Sequence, residues 1–274
     1  MANITRASFS SKVFASDVVS EILNTGLAAA PIFSAFTERR TDRQSVTFPT
    51  GDPSGFDWIA DLDTIPAVDP GDGALVASVA KIAGMLLLSN ESITDSELNL
   101  TSEVGRLIAE SMAPKADTEL VYGPPAANAA APAGFYAGLT KVTKPTLRAA
   151  VVDAASGIMA AGGTPNVVLL SPALWADEVN RREATTAGSG LLDDLGIPLT
   201  VGVAATLKPT DALVFDRAGC FGILRTDFSI EASTEAGDAW TKDGVSLRVK
   251  ARLGAAIPAP AKHARSIAVA PAVP

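Results

Sequence analysis

The stretch Lys81–Gly138 constrains the fold most, because it joins a strand-sized apolar run to the pattern of one long amphipathic helix. Thr94 and Glu97 form a Ser/Thr-x-x-Glu capping box, which predicts that a helix begins at Asp95. Beyond it, apolar residues recur every three or four positions, as in a helix that buries one face. These residues are Leu100, Val104, Leu107, Ile108, Met112, Ala116 and Leu120.

The predicted helix is long and contains a proline. If it continues to Val121 it is about 40 Å long, since each helical residue adds about 1.5 Å. Pro114 removes one backbone donor, and its ring crowds the carbonyl of Glu110. We therefore expect a kink or break between these two residues, and a bent helix rather than a straight one.

The segment before this helix predicts a strand followed by a long excursion. Ser45–Phe48 alternates polar and apolar residues, as a strand does. Gly51–Gly73 then contains Pro and Gly at both ends, yet Phe56, Trp58 and Ile59 lie inside it. A loop of this length in a compact domain needs a functional reason or is disordered. Its apolar residues favour docking onto another surface.

The second half alternates helical and strand patterns, which predicts a mixed α/β lobe over residues 146–237. Lys144–Gly163 predicts a helix with Pro145 in its first turn, and Ser171 and Pro172 suit the N-cap and first turn of another helix. Short apolar runs predict strands. The predicted strands are Val167–Leu170, Pro198–Val203, Ala212–Phe215 and Cys220–Leu224, with a turn at Asp216–Gly219.

The two ends of the chain give contrasting patterns. Gly244–Ala256 alternates apolar with polar or basic residues, which predicts a further strand. The chain after Ile257 is rich in Ala and Pro, so we expect an extended or poorly ordered tail. Residues 1–43 are interpreted as an arm with at most one helix, within Val13–Leu27.

The composition gives little support for a catalytic site or a metal site. One Cys, Cys220, excludes an intramolecular disulfide, and with the single His263 it leaves no ligand set for a structural zinc. His263 lies in the predicted tail and Cys220 in an apolar strand, so neither suits a catalytic role. Asp61 and Asp63 are interpreted as part of a solvated acidic loop rather than a cation site. We expect no catalytic residue, no cofactor and no metal.

Charge and hydropathy narrow the class of partner. The formal net charge of −8 does not fit a general nucleic-acid binder. No run approaches the roughly 20 apolar residues that a membrane helix needs, so we expect no membrane partner. Gly51–Leu75 carries Asp but no Lys or Arg, whereas the chain after Asp243 carries Lys and Arg but no acid. These are either two independently solvated surfaces or two surfaces that attract each other.

A set of motifs in fixed order resembles one family. The first half contains Trp58-Ile59-Ala60-Asp61, Val79-Ala80-Lys81-Ile82-Ala83, Leu88-Ser89-Asn90-Glu91, Asp95-Ser96, Ala116-Asp117, Gly123 and Pro132-Ala133-Gly134-Phe135. The second half contains Leu170–Trp175, Leu195–Leu199, Val214–Asp216 and Leu247–Arg252. In this order, over roughly Ser11–Lys262, the chain resembles the major capsid proteins of tailed phages of the Hong Kong 97 type.

The resemblance implies an α+β fold of the Hong Kong 97 type with named parts. They are an N-terminal arm (1–43), an extended β-hairpin loop (44–81), a peripheral domain with a long spine helix (82–145), an α/β axial domain (146–237), a return strand of the peripheral domain (238–262) and a C-terminal tail (263–274). It also implies a structural protein, not an enzyme, that assembles into pentamers and hexamers of an icosahedral head enclosing double-stranded DNA. Alternatives are the shell of an encapsulin-type nanocompartment and a small-molecule enzyme using the α/β lobe.

The implied partners are further copies of the chain, a portal, possible scaffolding or decoration proteins, and DNA held without sequence-specific contacts. The implied locations are the bacterial cytoplasm during assembly and then the virion. In such capsid proteins the extended loop lies across a neighbouring subunit, which favours attraction between the acidic loop and the basic strand. The candidate interface residues are Phe56, Trp58, Ile59, Asp61, Asp63, Arg248 and Arg252.

Two differences from some family members carry expectations. Some members join a loop lysine covalently to an asparagine of a neighbour, but Gly51–Leu75 has no lysine, so we expect no such bond. Several members begin with a scaffolding segment that a protease removes, whereas the family-like arm here begins near Met1. We therefore expect any scaffold to be a separate chain.

Overall fold

The strands and helices are those of a computed structural model that describes residues 30–51, 54, 56–69, 71, 73–91, 100–124, 130–184 and 196–269. The helices are α1 (Pro31–Ala35), α2 (Leu100–Tyr122), α3 (Leu147–Ala160), α4 (Pro172–Ala184) and α5 (Pro260–His263). The strands are β1 (Thr37–Arg40), β2 (Ser45–Pro49), β3 (Ala74–Ser78), β4 (Ala80–Ser89), β5 (Thr140–Lys144), β6 (Val167–Leu170), β7 (Thr200–Val203), β8 (Asp211–Phe215), β9 (Phe221–Ser233), β10 (Gly244–Ala256) and β11 (Ala264–Val269). The predicted helix within Val13–Leu27 and the predicted helix start at Asp95 lie outside the described residues.

The first sheet has the strand order β1-β9-β10-β4, and the long helix α2 packs on one of its faces. The alternation in β10 explains this arrangement, because Val249, Ala251 and Leu253 all point to the helix and are buried against Met112 and Ala116. The predicted strand Gly244–Ala256 is confirmed at both ends.

The helix α2 continues through Pro114 to Tyr122 without interruption. At 23 residues it is about 35 Å long. Met112, Ala113 and Ala116, on either side of the proline, are buried against the first sheet. This burial offsets the roughly 3 kcal/mol that an interior proline costs a helix. The predicted break is therefore wrong, whereas the predicted bend stays a prediction.

The second sheet has the strand order β5-β11-β8-β6-β7 and carries α3 on one face. Val151, Ala154 and Ile158 of α3 are buried against Val214 and Ile267 of the sheet. The predicted strand Val167–Leu170 and the strand near Ala212–Phe215 are confirmed. So is the N-cap of α4, where the Leu174 amide donates to Ser171 Oγ at 3.3 Å.

The start of α3 differs from the prediction. Thr146 is the N-cap, since its Oγ1 accepts a hydrogen bond from the Ala149 amide at 3.3 Å, and the helix begins at Leu147. Pro145 precedes this cap instead of standing in the first turn, and Lys144 ends the strand β5. The strand was missed because Val142 is its only buried residue among polar neighbours.

The expected tail after Ile257 is wrong for residues 258–269. Residues 264–269 are extended, but they form β11, an inner strand of the second sheet that pairs with both β5 and β8. Ala264, Ser266 and Ile267 are all buried there. Small residues with few apolar neighbours suggested a solvated segment, yet the neighbouring strands supply its hydrogen bonds and its packing.

The excursion after β2 is a long hairpin. β2 and β3 pair antiparallel from Ser45↔Ser78 to Pro49↔Ala74, and a bridge at Ser54↔Asp69 continues the pairing. The Asp63 amide donates to the carbonyl of Ala60 at 3.1 Å, which closes a turn at the far end. An extended β-hairpin therefore stands where the sequence predicts one.

The root of this hairpin packs on the first sheet. Phe48 and Ala77 form a small buried cluster with Ile223 and Ala256. The Phe48 ring stacks on Phe221 at a centroid distance of 4.9 Å. The short elements α1 and β1, which lead from the arm to this root, were not predicted, because four or five residues carry too little periodicity.

No helix among the described residues is both long enough and apolar enough to span a membrane.

Candidate subunit interface

The far end of the hairpin carries the exposed residues that the sequence singled out. Trp58 is 100% exposed, Phe56 75% and Ile59 38%, and Asp61 and Asp63 flank the turn and are exposed as well. The hydrogen bonds in this region are local; for example, the Thr64 amide donates to Asp63 Oδ1 at 2.7 Å. This surface is apolar at its centre, acidic around the turn and uncovered by the described part of the chain.

The hairpin also carries this surface away from the rest of the subunit. From Ser45 to Ala60 the chain follows one arm of the hairpin, which at about 3.3 Å per residue gives a reach of up to about 50 Å. The root, by contrast, is held by Phe48 and Ala77 on the first sheet. A hairpin of this length is long enough to present its acidic turn to a second subunit.

The face of the first sheet opposite α2 is partly exposed and strongly basic. Arg248, Lys250 and Arg252 lie on it, because they alternate with the buried residues of β10. Met85 pairs with Arg248 across the strands and is 67% exposed. Both predicted arginines thus lie on one face of the first sheet.

Arg248 and Lys250 already have an acidic partner in their own subunit. Both bind the carboxylate of Glu231 on β9, and Arg248 Nε donates to Glu231 Oε2 at 3.1 Å. The hydrogen bond from Lys250, followed by that from Arg248, lowers the pKa of Glu231 below its usual range. Glu231 therefore balances much of the positive charge of Arg248 and Lys250 within one subunit.

Arg252 lies in a different environment. It pairs directly across the strands with Lys81, and Arg225 is the extra residue of a bulge beside it, where Thr226 pairs with Arg252 but Leu224 with Leu253. These three cations line one cleft of about 450 Å³, together with residues such as Gln44 and Ser78 at the hairpin root.

Among the residues that the structure describes, no carboxylate lines this cleft. Within the ranges that the structure describes, none of the three cations forms an ion pair. Like charges directly opposite each other on two strands are unfavourable. The cleft formed by Lys81, Arg225 and Arg252, called the basic cleft below, is thus a place where an anion from outside the subunit would be stabilised.

Sequence reasoning found Arg252 but missed Lys81 and Arg225. Lys81 belongs to the cleft through the register of β4 on β10, and Arg225 through a bulge in β9. Neither feature leaves a local signal in the sequence. The only indication of a basic surface was the chain after Asp243, which carries Lys and Arg but no acid.

The single His and the single Cys are both structural in this fold. His263 Nδ1 lies 3.2 Å from Asp216 Oδ2, and the same carboxylate accepts from the Ala218 amide at 3.0 Å, so the pair braces the turn before Cys220. Burial raises the pKa of the Cys220 thiol far above its usual range. The prediction that His263 lies in a tail is wrong, since it ends α5 at the edge of the second sheet.

Within the described ranges, no three His, Cys, Asp or Glu side chains lie close enough together to hold a metal ion.

The fold and the long hairpin agree with the class that the sequence resembles, the shell-forming capsid proteins, and comparisons with known proteins support the same class. Residues 12–262 match the phage capsid family. A comparison with curated proteins gives no match.

Solved structures show the same fold at low identity. A chain of Mycobacterium phage Adephagia is 19% identical with a TM-score of 0.68, covering 100% of this chain and 99% of that one. A chain of Microbacterium phage Oxtober96 is 19% identical with a TM-score of 0.69, covering 98% and 100%. A virus-like particle from Pyrococcus furiosus is 12% identical with a TM-score of 0.65, covering 93% and 99%.

The chain belongs to the phage capsid family. Its fold is the α+β fold of the Hong Kong 97-type capsid proteins, and its role is that of a structural protein of the capsid shell.

Proposed function

We propose that this protein is the major capsid protein of a tailed phage, and that it assembles into the pentamers and hexamers of an icosahedral head enclosing double-stranded DNA. The observation that carries the proposal is the projecting hairpin, whose fully exposed Trp58 has no contact with the described body of its own subunit. An exposed aromatic on a long hairpin stabilises nothing in the free subunit, but it can anchor a contact with a second copy.

The proposed contact joins the hairpin of one subunit to the first sheet of the next. Phe56, Trp58 and Ile59 provide the apolar centre, and Asp61 and Asp63 provide the charge. The hairpin and the sheet face are different surfaces, so the contact is head-to-tail, and it forms closed rings of five or six subunits where the rotation between neighbours closes. The free energy of each contact can be small, because a closed ring makes the contacts cooperative.

Arg252 is the preferred acceptor on the sheet. Asp61 and Asp63 would give the basic cleft the carboxylates that the described residues of its own subunit do not supply. Arg248 ranks second, because a carboxylate from a neighbour would compete with Glu231 for it. This ranking refines the pair of arginines that the sequence suggested.

The proposed partners follow from this role. They are further copies of the chain, a portal, scaffolding or decoration proteins, and packaged DNA that is held without sequence-specific contacts. Assembly would take place in the cytoplasm of the bacterial host, and the mature location would be the virion.

The likeness to the virus-like particle chain favours a second candidate, an encapsulin-type compartment around a cargo enzyme. The two candidates differ in what the shell contains, because one encloses a genome and the other a protein.

The experiment is electron microscopy of the purified protein together with an analysis of the contents of particles isolated from the natural host. We expect closed shells with five- and six-fold units and nuclease-protected double-stranded DNA. A shell that holds one host enzyme and no DNA would establish the second candidate. A protein that stays monomeric or forms only small oligomers under all assembly conditions would overturn both.

A further inference from the structure

One buried carboxylate lies where three parts of the subunit meet. Asp117 of α2 is 1% exposed, and its Oδ1 accepts a hydrogen bond from the Phe33 amide at 2.9 Å. Its Oδ2 accepts from the Ile32 amide at 3.1 Å and from Thr206 Oγ1 at 3.1 Å. The arm, the long helix and a loop of the second sheet are thus joined through a single side chain.

The arm segment held by Asp117 is a wedge between the two hydrophobic cores. Phe33 packs into the core between α2 and the first sheet. Ile32 and Phe36 pack into the core below the second sheet, where the Phe36 ring meets that of Phe215 edge to face at 5.2 Å. The position of residues 30–36 therefore depends on both cores at once.

Within the described ranges, no ion pair balances the Asp117 carboxylate. The wedge itself carries no titratable side chain, and neither does the loop from Ala204 to Leu207. Lys115 of α2 binds Glu119 at 3.2 Å. Lys208, which follows the loop, lies over the ring of Tyr122 at 4.5 Å. Burial raises the pKa of Asp117 to about 6, although its three hydrogen bonds oppose that increase.

We propose that Asp117 is a proton-linked latch, which holds residues 30–36 between the two cores and holds them more tightly when its carboxyl group is protonated. The wedge can stay attached to the protonated group, because a proton on Oδ2 leaves Oδ1 to accept from the Phe33 amide. The Ile32 amide and Thr206 Oγ1 then donate to a weaker acceptor, but a neutral carboxyl group costs less to bury than a carboxylate. The latch lies within one subunit, so it does not depend on the proposed shell.

The direction of the pH dependence follows from linkage. When the wedge is released, Asp117 meets water and returns towards its ordinary pKa of 3.8, whereas in the docked state the pKa is about 6. The docked state therefore binds the proton more tightly than the released state does. Protonation of Asp117 stabilises the docked wedge fully below pH 3.8, and this extra stability is lost as the pH rises through about 6. Two pKa units correspond to about a hundredfold change in the ratio of docked to released wedge.

Hydrogen exchange of the Ile32 and Phe33 amides tests the latch on the full-length protein. After correction for the intrinsic exchange rate, we expect protection of these amides to rise more than about tenfold when the pH falls from about 7.5 to about 4.5. In Asp117→Asn the amide oxygen can still accept from Phe33, but nothing titrates, so this rise should disappear. Asp211→Asn is the matched control, because Asp211 is buried and accepts from Tyr122 at 2.9 Å but does not contact the wedge. It should keep the rise.

Thr206→Val keeps the proposal testable if the Asp117 variant does not fold. It removes one of the hydrogen bonds that lower the pKa, so the midpoint of the change should move to higher pH, whereas a purely structural role would leave it in place. Equal protection at both pH values in the wild type, or the same rise in Asp117→Asn as in the wild type, would overturn the latch.

Discussion

Arg248 and Arg252 are both arginines on β10, yet their neighbours give them different roles. Arg248 would have to release Glu231 before it could bind a carboxylate of another subunit. Arg252 faces Lys81 and Arg225, so a new carboxylate removes repulsion as well as adding an attraction. The surroundings of a charge, more than its presence in a basic segment, decide whether it can hold a partner.

We expect Arg252→Ala to reduce the yield of assembled shells more than Arg248→Ala. The reason is that the first change removes a cation of the basic cleft that would bind the neighbour's carboxylates, whereas the second removes one of the two cations that bind Glu231 within the subunit. Sedimentation measures the yield, and a circular dichroism melt of each variant checks that the subunit still folds. An equal loss of shell yield in both variants would contradict the assignment of the basic cleft as the preferred site of contact.

A reversal of charge gives the control for this prediction. Asp61→Lys with Asp63→Lys should oppose assembly by repulsion, and less so at high salt, because salt screens exposed charges. Adding Lys81→Asp and Arg252→Asp to the same chain should restore part of the yield. If the quadruple variant assembles no better than the double variant, the two surfaces do not contact each other directly.

Trp58 is expected to matter between subunits rather than within one. Trp58→Ala should weaken each contact by on the order of 1–3 kcal/mol if the ring fills a pocket on the neighbour. Because the ring is fully exposed in the subunit, the melting temperature should stay the same. Sedimentation and a melt of the same sample separate these effects, and a large fall in the melting temperature would show that Trp58 supports its own subunit.

At the scale of elements, the long helix α2 keeps a proline at a cost. We expect Pro114→Ala to raise the free energy of unfolding by about 1–3 kcal/mol, since the new amide can donate to the carbonyl of Glu110. Chemical denaturation measures the change. Pro172→Ala is the matched control, because Pro172 occupies the first turn of α4, where no such hydrogen bond is available, and little change is expected.

Elements were predictable from the sequence where their pattern is local and regular. The thirteen residues of β10 were found because the alternation is unbroken, and Ser171 was found because N-caps have a chemical signature. By contrast, β5 and β11 were missed, since their burial comes from strands far away in the chain. The basic cleft needed strand register and a bulge, which no single segment encodes.

At the scale of the whole molecule, we expect the hairpin turn of one subunit and the basic cleft of the next to be joined by non-covalent contacts. Gly51–Leu75 contains no lysine that could form an amide with a neighbour. We therefore expect mature particles to dissolve into single chains on a denaturing gel without reducing agent. A ladder of covalent multimers would contradict this expectation, and particles treated with an amine cross-linker provide the positive control.

The inner position of β11 makes the order of synthesis matter. Among the described strands it comes last along the chain, so it is made after β5 and β8 and must enter between them. Until then β5 has no partner in the second sheet, and three strands wait with an open edge. We expect a copy whose translation stops before Ala264 to leave this sheet incomplete, and the same topology would then keep unfinished copies out of the shell.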